Sequence, residues 1–199
     1  MTATAHASNA SESQLTRTPA AAPGAAAWDI DTAHASAGFK VRHLMVSHVR
    51  GELGPVSGTL TIDDERIERS RVEVSIDARG LNSRDARRDE HLRSPDFLDV
   101  ARYPTVAFRS TDVRRGQSGH LVVVGDLTIR DVTRSVTLDV DPLPPPVYDP
   151  WGGTRRGATA RARINRKDWG LEWNVALETG GVLVGEKIKI VLDIEALKA

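Results

Sequence analysis

An alternation of period two constrains this chain more than any other feature. Residues 71–78 read Arg-Val-Glu-Val-Ser-Ile-Asp-Ala, apolar on one side and polar on the other. Only an extended strand with one buried face satisfies such a pattern. Residues 133–140 repeat it, and residues 186–194 carry their apolar set on the even positions. Residues 59–62, 105–109, 120–129 and 157–164 supply further strands. Turn chemistry separates these runs at Gly54-Pro55, Asp63-Asp64, Arg115-Gly116 and Gly180-Gly181. Many strands with one apolar face each predict an all-β fold, either an antiparallel sandwich or a closed barrel.

One segment departs from this period. Residues 83–93 are charged, contain good helix formers and open with Ser83, an N-cap type. They predict a short helix that Pro95 ends, lying across one end of the barrel with Leu92, Phe97 and Leu98 tucked in. Residues 142–153 are rich in proline and are expected to form a loop.

With 199 residues the chain suits one domain. Residues 1–27 are rich in Ala and Ser and free of aromatics, which predicts a disordered tail before a domain over 28–199. The tail carries neither a basic n-region nor an apolar h-region, so a cytoplasmic location is expected. No stretch approaches the roughly 18–20 apolar residues of a transmembrane helix. The 27 basic and 27 acidic residues balance, and aromatics make up 5% of the chain, which argues against nucleic acid as a partner. The chain has no cysteine, hence no disulfide and no thiolate metal site. His34, His43, His48, His91 and His120 are scattered, and His43 and His48 fall on opposite faces of a strand, so no metal is expected. Nucleotide-binding glycine motifs and the Gly-x-Ser-x-Gly nucleophile motif are missing from the sequence, and no cofactor is expected.

Volume gives a hint about the interior. The apolar face of residues 157–164 is Ala158, Ala160 and Ala162, whereas a filled core favours bulkier side chains. Small barrels of about eight strands either fill with side chains or hold one small ligand. The alanines favour a ligand; the alternative is that Phe39, Phe108 and Ile190 from facing strands fill the gap. Residues 165–174 hold Trp169 and Trp173 around Gly170. They read either as a corner plug, with Trp169 packed and Arg166 paired to Asp168, or as a mouth where indoles meet an apolar ligand and Arg166 its polar head. Asp89 and His91 admit a base and its orienting carboxylate, against the simpler reading of helix charges paired with one another.

Several blocks, in order, resemble the YceI-like, polyisoprenoid-binding family. They are Ile30-Asp31-Thr32-Ala33-His34, residues 39–47 (Phe-Lys-Val-Arg-His-Leu-Met-Val-Ser), Val49-Arg50-Gly51, and residues 88–97 (Arg-Asp-Glu-His-Leu-Arg-Ser-Pro-Asp-Phe) followed by residues 103–108. Residues 125–129, 132–134, 164–171 and 184–188 complete the set. The sequence departs from the family pattern at Ala35, Leu98, Asp131, Ala158 and Trp169, where Ser, Phe, Gly, Phe and Phe are usual. The resemblance implies an eight-stranded antiparallel lipocalin-like barrel with one or two short helices. It further implies an isoprenoid chain, polyprenyl or quinone-like, held in the lumen without catalysis, and by analogy it allows a homodimer.

If each apolar face is the luminal one, the ligand meets Phe39, Val41, Val74 and Ile76 on the early strands and Val106, Phe108 and Val123 in the middle. Ala160, Ala162, Ile188 and Ile190 follow on the last two. Phe97, Trp169 and Trp173 are expected to line the ends. Two rival functions remain: an enzyme acting on an isoprenoid through Asp89 and His91, and a ligand-free structural or stress-related barrel acting through a partner surface.

Overall fold

The computed structural model describes residues 24–178 and 181–199. Among these residues lie eleven strands and one α-helix. The strands are β1 (Ala26–Ile30), β2 (Ser36–His43), β3 (Ser47–Leu53), β4 (Val56–Ile62), β5 (Arg71–Asp77), β6 (Thr105–Arg115), β7 (Leu121–Ile129), β8 (Val132–Val140), β9 (Val147–Tyr148), β10 (Thr154–Asn165) and β11 (Val184–Lys198); the helix is α1 (Ala86–Arg93).

The sheet is antiparallel and closes on itself. Its order runs β11-β1-β4-β5-β6-β7-β8-β10, and β10 returns to β11 through eleven residue pairs. This is a closed eight-stranded barrel, its weakest seam the short pairing of β8 with β10. β1 and β2 share one side of β11 as a single interrupted strand: residues 28–30 pair with 196–198, and residues 36–41 with 188–193. β3 and β4 form a second interrupted strand, β3 on β2 and β4 on β1, with Gly54-Pro55 between them. At the β2–β3 end the ladder to β5 is replaced by a single bridge, Glu52 to Asn82. α1 lies across this end, where Arg93 donates from Nε to the Arg79 carbonyl at 3.0 Å.

Some local expectations change. Asp85, not Ser83, caps α1: its carboxylate accepts from the Arg88 N–H at 3.1 Å. Ser83 is buried, and its N–H donates to Asp89 at 2.8 Å. The helix stops at Arg93 because Ser94, two residues on from Leu92, precedes Pro95 and is extended (φ −71°, ψ 171°). β1 begins at Ala26, within the last two residues of the expected tail; residues 1–23 of that tail lie outside the described residues, as does Gly180 of the expected Gly180-Gly181 turn. Within the proline-rich segment, β9 pairs with Thr154 and Arg155 of β10.

β6 runs six residues beyond its period-two pattern. A register shift between Ser110 and Asp112 reverses which side chains point inward. Val106, Phe108 and Ser110 are buried before it, and Val113 after it. The core is the inward face of the ring, continuous from Trp28 and Ala196 to Phe108, Leu127 and Ile164.

Candidate functional site: a chambered lumen

The inward faces do not fill the barrel completely. An outer cleft of about 530 Å³ opens between α1 and the β2–β3 hairpin, lined by Arg42, His43, Val49, Arg88, His91 and Trp173 among others. An inner chamber of about 150 Å³ lies behind it. Phe39, Val41, Leu92, Phe97 and Val184 line both spaces and form the partition between them. A second inner chamber of about 80 Å³ follows, behind Val74, Phe108 and Leu192. The outer cleft and the far chamber each share lining residues with the middle one and none with each other, so the three spaces stand in series.

Two glycines seat the partition rings. Phe39 pairs across the sheet with Gly51, where a β-carbon would meet its Cζ at 2.5 Å. A β-carbon on Gly125 would meet Phe108 Cζ at the same distance. Each ring thus lies over a bare stretch of neighbouring strand, an arrangement in which the aromatic shields the glycine backbone.

Polar groups are confined to the ends. At the far end Arg156 follows the inward parity of Ala158 and Ala160. It is buried, its Nη1 is 2.8 Å from Asp64, and it donates from Nε to the Pro144 carbonyl at 3.0 Å. Near the cleft, Arg166 is 1% exposed and pairs with no carboxylate among the described residues. Its guanidinium donates to the carbonyls of Gly185 (3.1 Å), Val184 (3.4 Å) and Leu171. Burial lowers its pKa, partly offset by the nearby Glu186 carboxylate. The pairing with Asp168 is thus replaced: Arg166 lines the inner chamber and ties the segment after β10 to the start of β11 through these carbonyls.

The residues expected to line the lumen divide unevenly. Phe39, Val41, Val74, Ile76, Phe97, Val106, Phe108, Ile188 and Ile190 line the 150 Å³ chamber. Val123 and Ala160 line the 80 Å³ chamber, together with Ala158. Ala162 lines neither and packs partly buried against the core. Trp173 lines the outer cleft, its ring edge-on to His91 at 4.5 Å and tilted against Phe97 at 5.3 Å. Trp169 lines none of the three spaces. β8 and β10 pair only through Val140–Ala160 and Asp139–Arg161, and the turn at Arg166–Trp169 bridges the two strands beyond that, where Arg134 donates to the Asp168 carbonyl. Trp169 is buried there, its indole N–H bound to the Leu127 carbonyl at 3.1 Å. The sequence reading missed Leu127 and Ile129, which share the parity of Val123. It also missed Leu171 and Val184, which lie outside regular alternation.

Asp89 and His91 do not face each other chemically. Asp89 accepts from the Ser83 N–H and hydroxyl, while His91 Nε2 is 2.9 Å from Asp96. Asp31, His34 and Glu195 gather their ligand atoms within 4.8 Å. The cation among them is Arg155, whose Nη1 is 2.7 Å from Asp31 and 2.6 Å from Glu195 and whose Nε is 2.6 Å from Asp149. Arg155 and then His34 hold the Asp31 carboxyl down at about 2.

Comparison with known proteins agrees with this architecture. A UPF0312 protein of Vibrio cholerae is 40% identical over 153 residues, 76% of this chain and 80% of the relative. One from Shewanella denitrificans is 38% identical over 173 residues, 84% of this chain and 90% of the relative. Among solved structures, Burkholderia cenocepacia BcnA superposes with a TM-score of 0.71 at 16% identity, covering 83% of this chain and 98% of that one. A polyisoprenoid binding domain from Saccharophagus degradans does so with a TM-score of 0.63 at 14% identity, covering 87% and 99%. The family model for the YceI-like domain matches residues 28–196, and the chain belongs to that family.

Proposed function

We propose that this barrel binds a long, thin apolar lipid of the isoprenoid class in its lumen and releases it chemically unchanged. The observation that carries this reading is the series of three spaces, in which a mixed polar and apolar cleft leads to two inner chambers walled by hydrocarbon. Each inner chamber is smaller than the roughly 300–1,000 Å³ of ordinary ligand pockets. A compact ligand would not fit, whereas a flexible chain occupies all three in line once Phe39, Phe97 and Phe108 change rotamer. Moving such a chain out of water is worth roughly 25 cal/mol per Å² of apolar area, offset in part by the cost of ordering it. The isoprenoid class is supported by the description of the Saccharophagus degradans domain.

The binding reading is preferred to an enzyme built on Asp89 and His91 because Asp89 is bound to Ser83 and does not orient His91. The test is mass spectrometry of an organic extract of freshly purified protein, against an unrelated protein of equal mass. One isoprenoid per chain, unaltered on prolonged incubation, is expected. Conversion of that lipid over time, abolished by His91→Ala, would favour the enzyme. A clean extract after expression in the native host would favour a barrel that acts through its surface.

A further inference from the structure

Charge is balanced over the chain but not over its surface. Across four neighbouring strands the cross-strand partners Arg163, Lys189, Lys40 and Arg50 stand side by side on the outer face. Arg42 and His48 pair one step closer to the hairpin tip. None of these basic side chains forms an ion pair among the described residues, whereas Arg79, Arg109, Arg155, Arg156 and Arg161 all do. Like charges directly opposite one another destabilise a sheet. The field is felt locally: the His48 pKa is lowered, by desolvation first and then by Lys40, Arg42, Arg50 and Lys189. Of the nearby acids, Glu186 is bound to Lys167, and Glu52 forms no ion pair with the stripe among the described residues.

The tip beside this stripe is apolar and exposed. Leu44, Met45 and Val46 are 39%, 48% and 79% exposed. Leu44 and Met45 also adopt positive φ (51° and 62°), a conformation in which Asn, Asp and Gly are ordinary and bulky apolar residues are not. Polar residues would suit this turn better in water. The tip adjoins the 530 Å³ cleft, which Arg42 and His43 line.

We propose that this end of the barrel docks on an anionic lipid bilayer, with Leu44, Met45 and Val46 entering the interface and the basic stripe facing the headgroups. Apolar side chains next to a cationic surface are the combination such interfaces select. Docking here sets the cleft against the membrane, so a lipid tail passes between bilayer and lumen without crossing water. The opposite end exposes Val147, Tyr148 and Trp151, but its Arg155 is ringed by Asp31, Asp149 and Glu195, which suits an anionic surface poorly. The purpose assigned to docking rests on the lipid-binding reading; the docking itself does not.

The test is co-sedimentation of the full chain with phosphatidylcholine vesicles, with and without about one third phosphatidylglycerol, at about 0.1 M and about 0.5 M salt. Binding only to the anionic vesicles, lost at high salt, is expected. Each basic side chain near such a surface is worth roughly five-fold in affinity, so Lys40→Glu with Arg50→Glu is expected to cut binding at least ten-fold. The same pair should leave the thermal midpoint unchanged or raised, because it relieves repulsion. Met45→Ser with Val46→Ser should also abolish most binding, while Trp151→Ser at the far end should not. No binding, equal binding to both vesicle types, or binding indifferent to Met45 and Val46 would overturn the proposal, the last pointing to a plain acidic partner. Extractable lipid measured on the same preparations separates the two readings: vesicle binding by a cargo-free barrel would sink the lumen reading and leave docking standing, and cargo without vesicle binding would do the reverse.

Discussion

The phenyl ring of Phe108 occupies the space that a side chain at Gly125 would need. A β-carbon there would come within 2.5 Å of Cζ and 2.7 Å of Cε2, and within 2.5 Å of the Arg109 carbonyl oxygen. The ring can turn away, but the carbonyl is backbone and cannot. Gly125→Ala is therefore expected to lower stability by about 1–3 kcal/mol, the usual cost of overpacking. At Gly157 the nearest atom to an added β-carbon is the Ile194 carbonyl oxygen at 3.8 Å. Gly157→Ala should leave stability unchanged or slightly raised, since alanine loses less backbone entropy than glycine in a strand. Denaturant unfolding of both variants checks this, and equal losses would contradict the seating of Phe108.

Ala160 marks the deep end of the proposed lipid path, in the 80 Å³ chamber beyond Phe108. Ala160→Leu should shorten the longest isoprenoid that the barrel retains while leaving the fold intact. Competition between prenyl chains of different length, read by mass spectrometry, measures the shift. An unchanged preference in a folded variant would remove Ala160 from the path.

Arg166 holds three backbone carbonyls in a buried position. Arg166→Leu removes all three donors; the Val184 carbonyl still accepts from Asn174 at 2.7 Å, whereas those of Leu171 and Gly185 lose this partner, at roughly 1–3 kcal/mol for each left unsatisfied. The expected loss is on the order of 2 kcal/mol or more, visible as a fall in the denaturant midpoint. Arg166→Lys should fall between the two, because an ammonium cannot reproduce the planar fork of donors.

The Asp31 carboxyl is held at about 2 by Arg155, His34 and the Ala33 N–H, below its ordinary value near 3.9. A depressed carboxylate contributes stability that is complete above its unfolded pKa and disappears as pH falls through its folded one. Asp31→Asn should thus lower the thermal midpoint at neutral pH, with the gap to wild type closing between about pH 4 and about pH 2. A gap that persists at pH 2 would show that the asparagine costs something other than the ion pair.

Alternation in β5, β7, β8 and β11 from Ile188 onward was legible because each keeps its register with one buried face, and parity alone then places Val74, Ile76, Ile188 and Ile190 inside. β6 was read only to Arg109 because the shift after Ser110 inverts its parity, a decision made by pairing with β7. Ser83 had the chemistry of a cap but is drawn into the core by Asp89, leaving Asp85 to cap α1.

Period two and turn chemistry, which are local properties of the chain, were sufficient to determine an antiparallel all-β fold, and the resemblance carried by the ordered motif blocks implied the closed barrel of this family. Tertiary structure decided what locality cannot reach. The parting of β8 from β10 turned Trp169 from a lining residue into a plug. The partition of the lumen depends on rings seated over glycines of neighbouring strands. The basic stripe joins residues from four strands as far apart as Lys40 and Lys189, whose adjacency exists only once the barrel has closed.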